Sequence, residues 1–281
     1  MSANVNKLPV LDIWRQRFAF QPSAAAQLPD WLGSTWRGAF GHQLKRLSCV
    51  TGLPDCVSCA LFNSCSHAEI FESPPISSVG KMRKYNAVPH PYALLPDPGG
   101  DVASSDSIGL EVRLFGKAIR HQRLVADAIR LGAEQGLGRE RTQLLPLPLP
   151  DAEKITLDLN TIKPPPGALR ISLLTPLRLR IKGKPVTPDM LTFGDFFSVL
   201  LRRISMLCSF YQQRELDIDF SHLVSQARNT DFSHRQLRTT KLKRWSGRQK
   251  HSIDMSGLVG ELRLESEQLE LFWPYLYLGQ Y

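Results

Sequence analysis

Leu169–Ile181 reads LRISLLTPLRLRI, and soon after it Leu191–Tyr211 reads LTFGDFFSVLLRRISMLCSFY. Past Pro176 the first stretch alternates apolar and basic side chains, the period of a half-buried strand. In the second, Phe193, Phe196, Phe197, Leu200, Ile204, Leu207 and Tyr211 recur at helical spacing on one face, behind a Thr192-x-x-Asp195 capping signal. Such a helix must cover a sheet, and Leu258–Leu264 (LVGELRL) supplies a further strand. Leu269–Leu278 is apolar and aromatic-rich, an element whose type the pattern leaves open.

The N-terminal half repeats this order. It has an apolar start at Leu8–Phe20, a helix over Thr35–Leu47, a strand at Leu110–Phe115 and a helix over Lys117–Leu131. The expected fold is α+β in two domains, residues 1–150 and 151–281, which 281 residues can fill with real cores. Between them, LLPLPLP (Leu144–Pro150) and Pro164, Pro165, Pro166 and Gly167 predict a linker over about 146–167, with a short strand, Ile155–Leu159, inside it. No short repeat period appears, which excludes solenoids and propellers.

Composition narrows the class. Hydrophobic residues at 42% and charged residues at 22% exclude wholesale disorder and a disulfide-dense scaffold. No apolar stretch reaches the roughly 18 residues of a membrane span. Asp12, Arg15 and Arg17 lie where a secretory signal needs an apolar run, so the expected compartment is the cytoplasm. The net charge of +9 and pI near 9.5, shared by both halves, suit a polyanionic partner, although mildly basic proteins without one are common.

On the helix at Thr35–Leu47, Trp36, Phe40, Leu44 and Leu47 fall in one apolar stripe and His42, Lys45 and Arg46 on the opposite side. An imidazole beside two cations suits phosphodiester chemistry, the imidazole moving a proton while a cation holds the phosphate; the plain alternative is a solvated helix face. Cys49, Cys56, Cys59 and Cys65 then crowd into a C-x6-C-x2-C-x5-C run followed by His67, with Cys208 alone elsewhere. Reduced thiols so close are candidate ligands for a structural zinc; an iron–sulfur cluster or a metal-free set of thiols also fits.

Two further runs concern phosphate. Gly132, Gly136 and Gly138 in LGAEQGLGRER precede Arg139 and Arg141, but they follow a helix where a dinucleotide fingerprint precedes one, so a helix end and turn is the simpler reading. From residue 228 to 251 the cations Arg228, Arg235, Arg238, Lys241, Lys243, Arg244, Arg248 and Lys250 face one acid, Asp231, with Phe232, His234, Trp245 and His251 among or beside them. Stacking surfaces beside cations suit RNA, against the alternative of a solvated basic loop.

The stretches WRGAFGHQLKRLSCVTGLPDCVSCALFNSCSHAEIFESPP (Trp36–Pro75), PHPYALLP (Pro89–Pro96), LFGKA (Leu114–Ala118), GLGRER (Gly136–Arg141), LLTPLRLRIKGKPV (Leu173–Val186), LLRRIS (Leu200–Ser205) and WSGRQKHSIDMSGLVGEL (Trp245–Leu262) resemble, in order, the CRISPR-associated repeat-processing endoribonucleases of the RAMP superfamily. The resemblance implies two tandem ferredoxin-like (RRM-like) domains, the first carrying the cysteine-rich stretch 49–67 as an insertion. It also implies binding of CRISPR repeat RNA and its cleavage to guide RNA without metal, by attack of a 2′-hydroxyl that leaves a 2′,3′-cyclic phosphate and a 5′-hydroxyl. His42 matches the place of the family's acid–base histidine on the first helix. Lys45, Arg46 and Arg37 become candidates for charge stabilisation, and Arg139, Arg141, Arg235, Arg238, Lys241, Lys243, Arg244, Trp245, Arg248 and Lys250 for RNA contact. No cofactor is expected in catalysis; zinc at the four cysteines would be structural. Expected partners are repeat RNA, mature guide RNA and other subunits of an interference complex, with no membrane. The family usually continues past a segment like PYLYLG into a histidine- and glycine-rich loop, whereas this sequence ends at Gly279-Gln280-Tyr281, so a shortened or divergent member is expected. A non-catalytic RNA-holding subunit is the competing expectation, and a zinc-braced protein binding polyanions without sequence choice the blandest.

Overall fold

The computed structural model describes residues 8, 10–23, 28–29, 31–73, 88–97, 107–148, 151–212, 215–246 and 251–281. β1 (Val10–Pro22) turns Trp14, Phe18 and Phe20 to a buried core by two-residue alternation. α1 (Gly33–Ser48) lays Trp36, Phe40 and Leu44, one helical turn apart and all fully buried, on the same core. β2 (Tyr92–Pro96) and β3 (Ile108–Phe115) follow, β3 contributing Leu110, Val112 and Leu114. A 3₁₀ segment, Gly116–His121, leads into α2 (Gln122–Glu134), which buries Val125, Ala128, Ile129 and Ala133. β4 (Leu144–Leu147) and β5 (Glu153–Asp158) both return to β1. The order β2-β3-β1-β4 in a β-α-β-β-α-β chain is the ferredoxin-like arrangement.

The second half opens with β6 (Leu169–Leu177) and a tight hairpin of β7 (Arg180–Ile181) and β8 (Lys184–Pro185). α3 (Phe193–Tyr211) and α4 (Phe220–Arg228) precede β9 (Phe232–Thr240). β10 (Lys243–Ser246) pairs with β11 (His251–Asp254), and β12 (Gly257–Leu264) and α5 (Leu269–Gly279) close the chain. β12 lies between β6 and β9, antiparallel to both, with the helical residues Phe193, Phe197 and Phe272 packed edge to face. This second β-α-β-β-α succession is again ferredoxin-like, with α4 and the β10-β11 hairpin added. Val10–Leu157 with Met206–Glu215 form one compact unit; Met1–Pro9, Asp158–Ser205 and Leu216–Tyr281 form the other. No helix among the described residues is long and apolar enough to cross a membrane.

The expected α+β class and the two ferredoxin-like units stand, and several local expectations change. The capping signal holds: the Asp195 amide donates to Thr192 Oγ1 at 3.1 Å and that hydroxyl donates to Asp195 Oδ2 at 2.9 Å. The strand expected to run through to Ile181 is interrupted at Arg178 and Leu179: β6 ends at Leu177, and Arg180–Ile181 pair instead with Lys184–Pro185 across a reversal in which Lys182 and Gly183 take φ 50° and 80°. Part of the expected linker is sheet. Pro146 of β4 stands opposite Phe20, and the strand expected at Ile155–Leu159 is β5, paired with β1. Leu47, expected in the buried stripe of α1, is 42% exposed; Trp36, Phe40 and Leu44 lie four residues apart and it breaks that step.

Candidate functional site

α1 carries the proposed acid–base residue on its last two turns. His42 and Arg46, one turn apart, are exposed. His42 Nδ1 is 3.4 Å from the side-chain Nε2 of Gln43, and Gln43 itself is buried. Lys45 is half-buried and turned to structural use, donating from Nζ to the carbonyls of Leu53 at 3.1 Å and Pro54 at 3.0 Å. It therefore ties the insertion to the helix. Arg37 lies with its guanidinium 4.4 Å from the centre of the Phe71 ring. That ring rests directly on α1, since a Cβ at Gly41 would come within 2.3 Å of it.

Phe71 belongs to a five-residue π-helical turn, Ala68–Glu72, which closes on Ser73 at φ 47°. Around Phe71 stack His67, His90 and Tyr92, and Ser73 Oγ lies 2.8 Å from His90 Nδ1. The turn is pinned by Glu69, which accepts hydrogen bonds from Arg120 and, at 3.1 Å, from His121. Burial pushes the Glu69 carboxyl up, but the bonds and charges of His121 and Arg120 outweigh it and hold it at about 2. Apart from His67, which follows the cysteine run, none of these supporting residues was singled out from sequence, because the others meet across some 17 to 52 positions; the only available signal was the histidine and aromatic content of the flanking segments.

The four cysteines of the insertion, together with Lys45 and His67, line one cavity of about 230 Å³. Cys56 Sγ lies 3.8 Å from His67 Nδ1, and with the Glu72 carboxylate these donors fall within 4.8 Å of one another. Thr51 Oγ1 stands between Cys49 Sγ at 3.7 Å and Cys59 Sγ at 3.6 Å. The Thr51 hydroxyl and nearby backbone amides draw the Cys49 thiol down, burial pushes the Cys56 thiol up, and burial draws the His67 imidazole down. The expected set of four cysteines is thus gathered round one space, with His67 nearer to Cys56 than sequence spacing disclosed.

β9 divides the basic segment between two faces. Arg238 stands opposite Val259 and His234 opposite Arg263, whereas Arg235 stands opposite the buried Leu262. Arg235 is bound by Asp231 and lies over Phe232 at 5.8 Å. Arg263 in turn faces Arg170 of β6, so Arg170, Arg263, Arg238 and His234 share one exposed sheet face. Arg170 and Arg263 were missed at the sequence level; their alternation with the apolar residues of LRIS and GELRL was the signal. Lys241 and Lys243 are exposed. The side chains of Arg244 and Trp245, and residues Arg248 and Lys250, lie outside the described residues. Arg139 and Arg141 are exposed on a turn clasped by Leu137 and Thr142, and Gly136, at φ 90°, is required there because a Cβ would meet the Arg141 carbonyl oxygen at 2.1 Å. This is the helix end and turn expected.

Residues 171–281 match a family model described as CRISPR-associated endoribonuclease Cas6, and a second model, described as an N-terminal domain, matches residues 10–148. No curated protein matches the chain in sequence. Among solved structures the chain is similar to a Cas6 product complex at 15% identity and a TM-score of 0.54, over 95% of this chain and 89% of that one. It is also similar to a RAMP protein described as binding different RNA substrates, at 16% identity and a TM-score of 0.45, over 93% and 91%. The first likeness is one of fold.

Proposed function

From the match of residues 171–281 to the family described as CRISPR-associated endoribonuclease Cas6, we propose that the chain is a member of that family and that it binds CRISPR repeat RNA and cuts it, in the cytoplasm, to give mature guide RNA. The observation that carries the assignment of chemistry to α1 is the exposed pair His42 and Arg46, one helical turn apart. The 2′-hydroxyl upstream of the scissile phosphate attacks phosphorus; the P–O2′ bond forms and the P–O5′ bond breaks. His42 moves the proton, taken from the 2′-hydroxyl and delivered to the departing 5′-oxygen, and Arg46 balances the charge that develops on the phosphorane. The ends are a 2′,3′-cyclic phosphate and a 5′-hydroxyl, and the reaction needs no metal. Residues 1–150, with the insertion at 49–67, supply the chemistry. Residues 151–281 supply grip through the basic segment 228–251 and the exposed face of Arg170, Arg238 and Arg263. The product stays bound as guide RNA beside other subunits of an interference complex. A structural ion in the cysteine-lined cavity would brace the insertion and take no part in cleavage.

One observation favours a second reading, a non-catalytic subunit that only holds guide RNA. Lys45 is engaged by two carbonyls and Arg37 by Phe71, which leaves fewer cations for the phosphorane. Incubating the protein in EDTA with its own repeat RNA, and with the same RNA carrying a 2′-deoxy sugar at the cut site, separates the two. Cleavage of the ribose substrate alone is expected. Tight binding with no cleavage would leave the holding role.

A further inference from the structure

The five soft donors of the insertion are not equivalent. Cys59 N donates to Cys56 O at 3.1 Å, a tight turn that sends both thiols into the same cavity. Cys65 begins the helical segment that contains His67, its carbonyl accepting from the Glu69 amide at 2.9 Å. His67 is 4% exposed, and its Nδ1 stands 3.8 Å from Cys56 Sγ. Zinc in a tetrahedral site, at about 2.3 Å from sulfur and 2.0–2.1 Å from nitrogen, separates those two donors by about 3.5 Å, so the pair needs only a few tenths of an ångström to close on an ion. Cys49 differs. It caps the C-terminus of α1, and its sulfur is set apart from Cys59 by the Thr51 hydroxyl.

We propose that Cys56, Cys59, Cys65 and His67 Nδ1 form a structural zinc site, with Cys49 outside it. Two close pairs, C-x2-C and C-x-H, then provide three thiolates and one imidazole, which fill a tetrahedron and leave no open position for substrate. Among the described residues it is the Glu72 carboxylate that falls within 4.8 Å of the Cys56 and His67 donors; the thiols of Cys59 and Cys65, which line the same cavity, are softer donors and displace it as the site closes on zinc. On binding, three thiols lose their protons to solvent, and the Lys45 ammonium, which acts on Cys56, offsets the net charge of −1 on the centre. The site closes the insertion at the foot of the π-helical turn whose Phe71 rests on Gly41 and Arg37. Zinc therefore sets the surface of α1 beside His42 without touching RNA, and this holds whether or not the chain cleaves RNA.

Elemental analysis of the intact protein should find about one zinc per chain. Zinc K-edge absorption on the unmutated protein should give three sulfur neighbours near 2.3 Å and one nitrogen near 2.0 Å. Cys49→Ser should keep the metal and that spectrum, while Cys59→Ser and His67→Ala should bind zinc at least about tenfold more weakly. A folded chain free of zinc would overturn the proposal, as would iron in its place. Four sulfur neighbours, or loss of metal from Cys49→Ser as complete as from Cys59→Ser, would overturn the ligand set. The absorption measurement needs no variant, so a variant that fails to fold does not blunt the test.

Discussion

On α1 the cations are largely committed to the protein itself, Lys45 to the Leu53 and Pro54 carbonyls and Arg37 to the face of Phe71, whereas Arg170, Arg238 and Arg263 lie exposed across three strands of the second unit's sheet. Arg170 and Arg263 do have partners, Glu261 at 3.7 Å and Glu265 at 2.9 Å, but these pairs are solvent-exposed, worth about 0–1 kcal/mol each, and phosphates can displace them. Formal charge is therefore a poor guide to which cation meets RNA. What decides is whether the charge already answers a buried or half-buried group. Under the proposed function, the α1 region is a small reaction centre with a heavy supporting framework, and the sheet a grip with almost none.

Replacing His42 by Ala should break the comparison most sharply. Single-turnover cleavage of repeat RNA should fall about 10² to 10⁴-fold, the usual weight of a general acid–base group, with Kd unchanged within about twofold. Next, Glu69→Gln should loosen the framework. The Glu69 carboxyl is held below its ordinary value, so its contribution to stability is present above about 4.5 and is lost as pH falls through about 2. Chemical denaturation at pH 6 should show the variant destabilised by on the order of 1–3 kcal/mol, with the gap narrowing as the pH approaches 2. A gap that does not narrow with acid would show that the ion pairs to Arg120 and His121 are not its source.

Lys45→Met should cost about 1–2 kcal/mol, by leaving two carbonyls without their donor, and should slow cleavage only as far as it unfolds the protein. A cleavage loss far beyond the stability loss would move Lys45 into the reaction. The smallest effect belongs to the grip. Arg238→Ala should weaken RNA binding several-fold and reduce the dependence of log K on log salt by about 1, whereas Arg235→Ala, on the other face, should leave that slope alone.

These contrasts also mark what could be read from residues alone. The α3 cap and aromatic stripe were legible because they repeat within a few residues, and the same arithmetic placed His42 and Arg46 on the solvent face of α1, although it put the exposed Leu47 in the buried stripe and the half-buried Lys45 opposite it. β4 was hidden by prolines that an edge strand tolerates, since Pro146 can face Phe20 without interrupting a central ladder, whereas β5, free of proline, was expected as the strand at Ile155–Leu159. The basic run at 228–251 disclosed a polyanion site but not its division between faces, since Arg235 and Arg238 separate only once β9 is known to be a strand in register with β12. The Glu69–Arg120 and Phe71–Gly41 contacts join distant segments, and no local period encodes them.

The central claim is that chemistry resides on α1 and grip on the sheet, and one paired measurement tests it directly. Kd and the saturated single-turnover rate should be measured for His42→Ala and for the combined Arg170→Ala, Arg238→Ala, Arg263→Ala variant on the same repeat RNA. The account predicts that the first keeps its Kd and loses its rate, while the second weakens in Kd and recovers the full rate at saturating protein. A His42→Ala protein that still cleaves, or a combined variant that binds normally and fails to cleave, would contradict it.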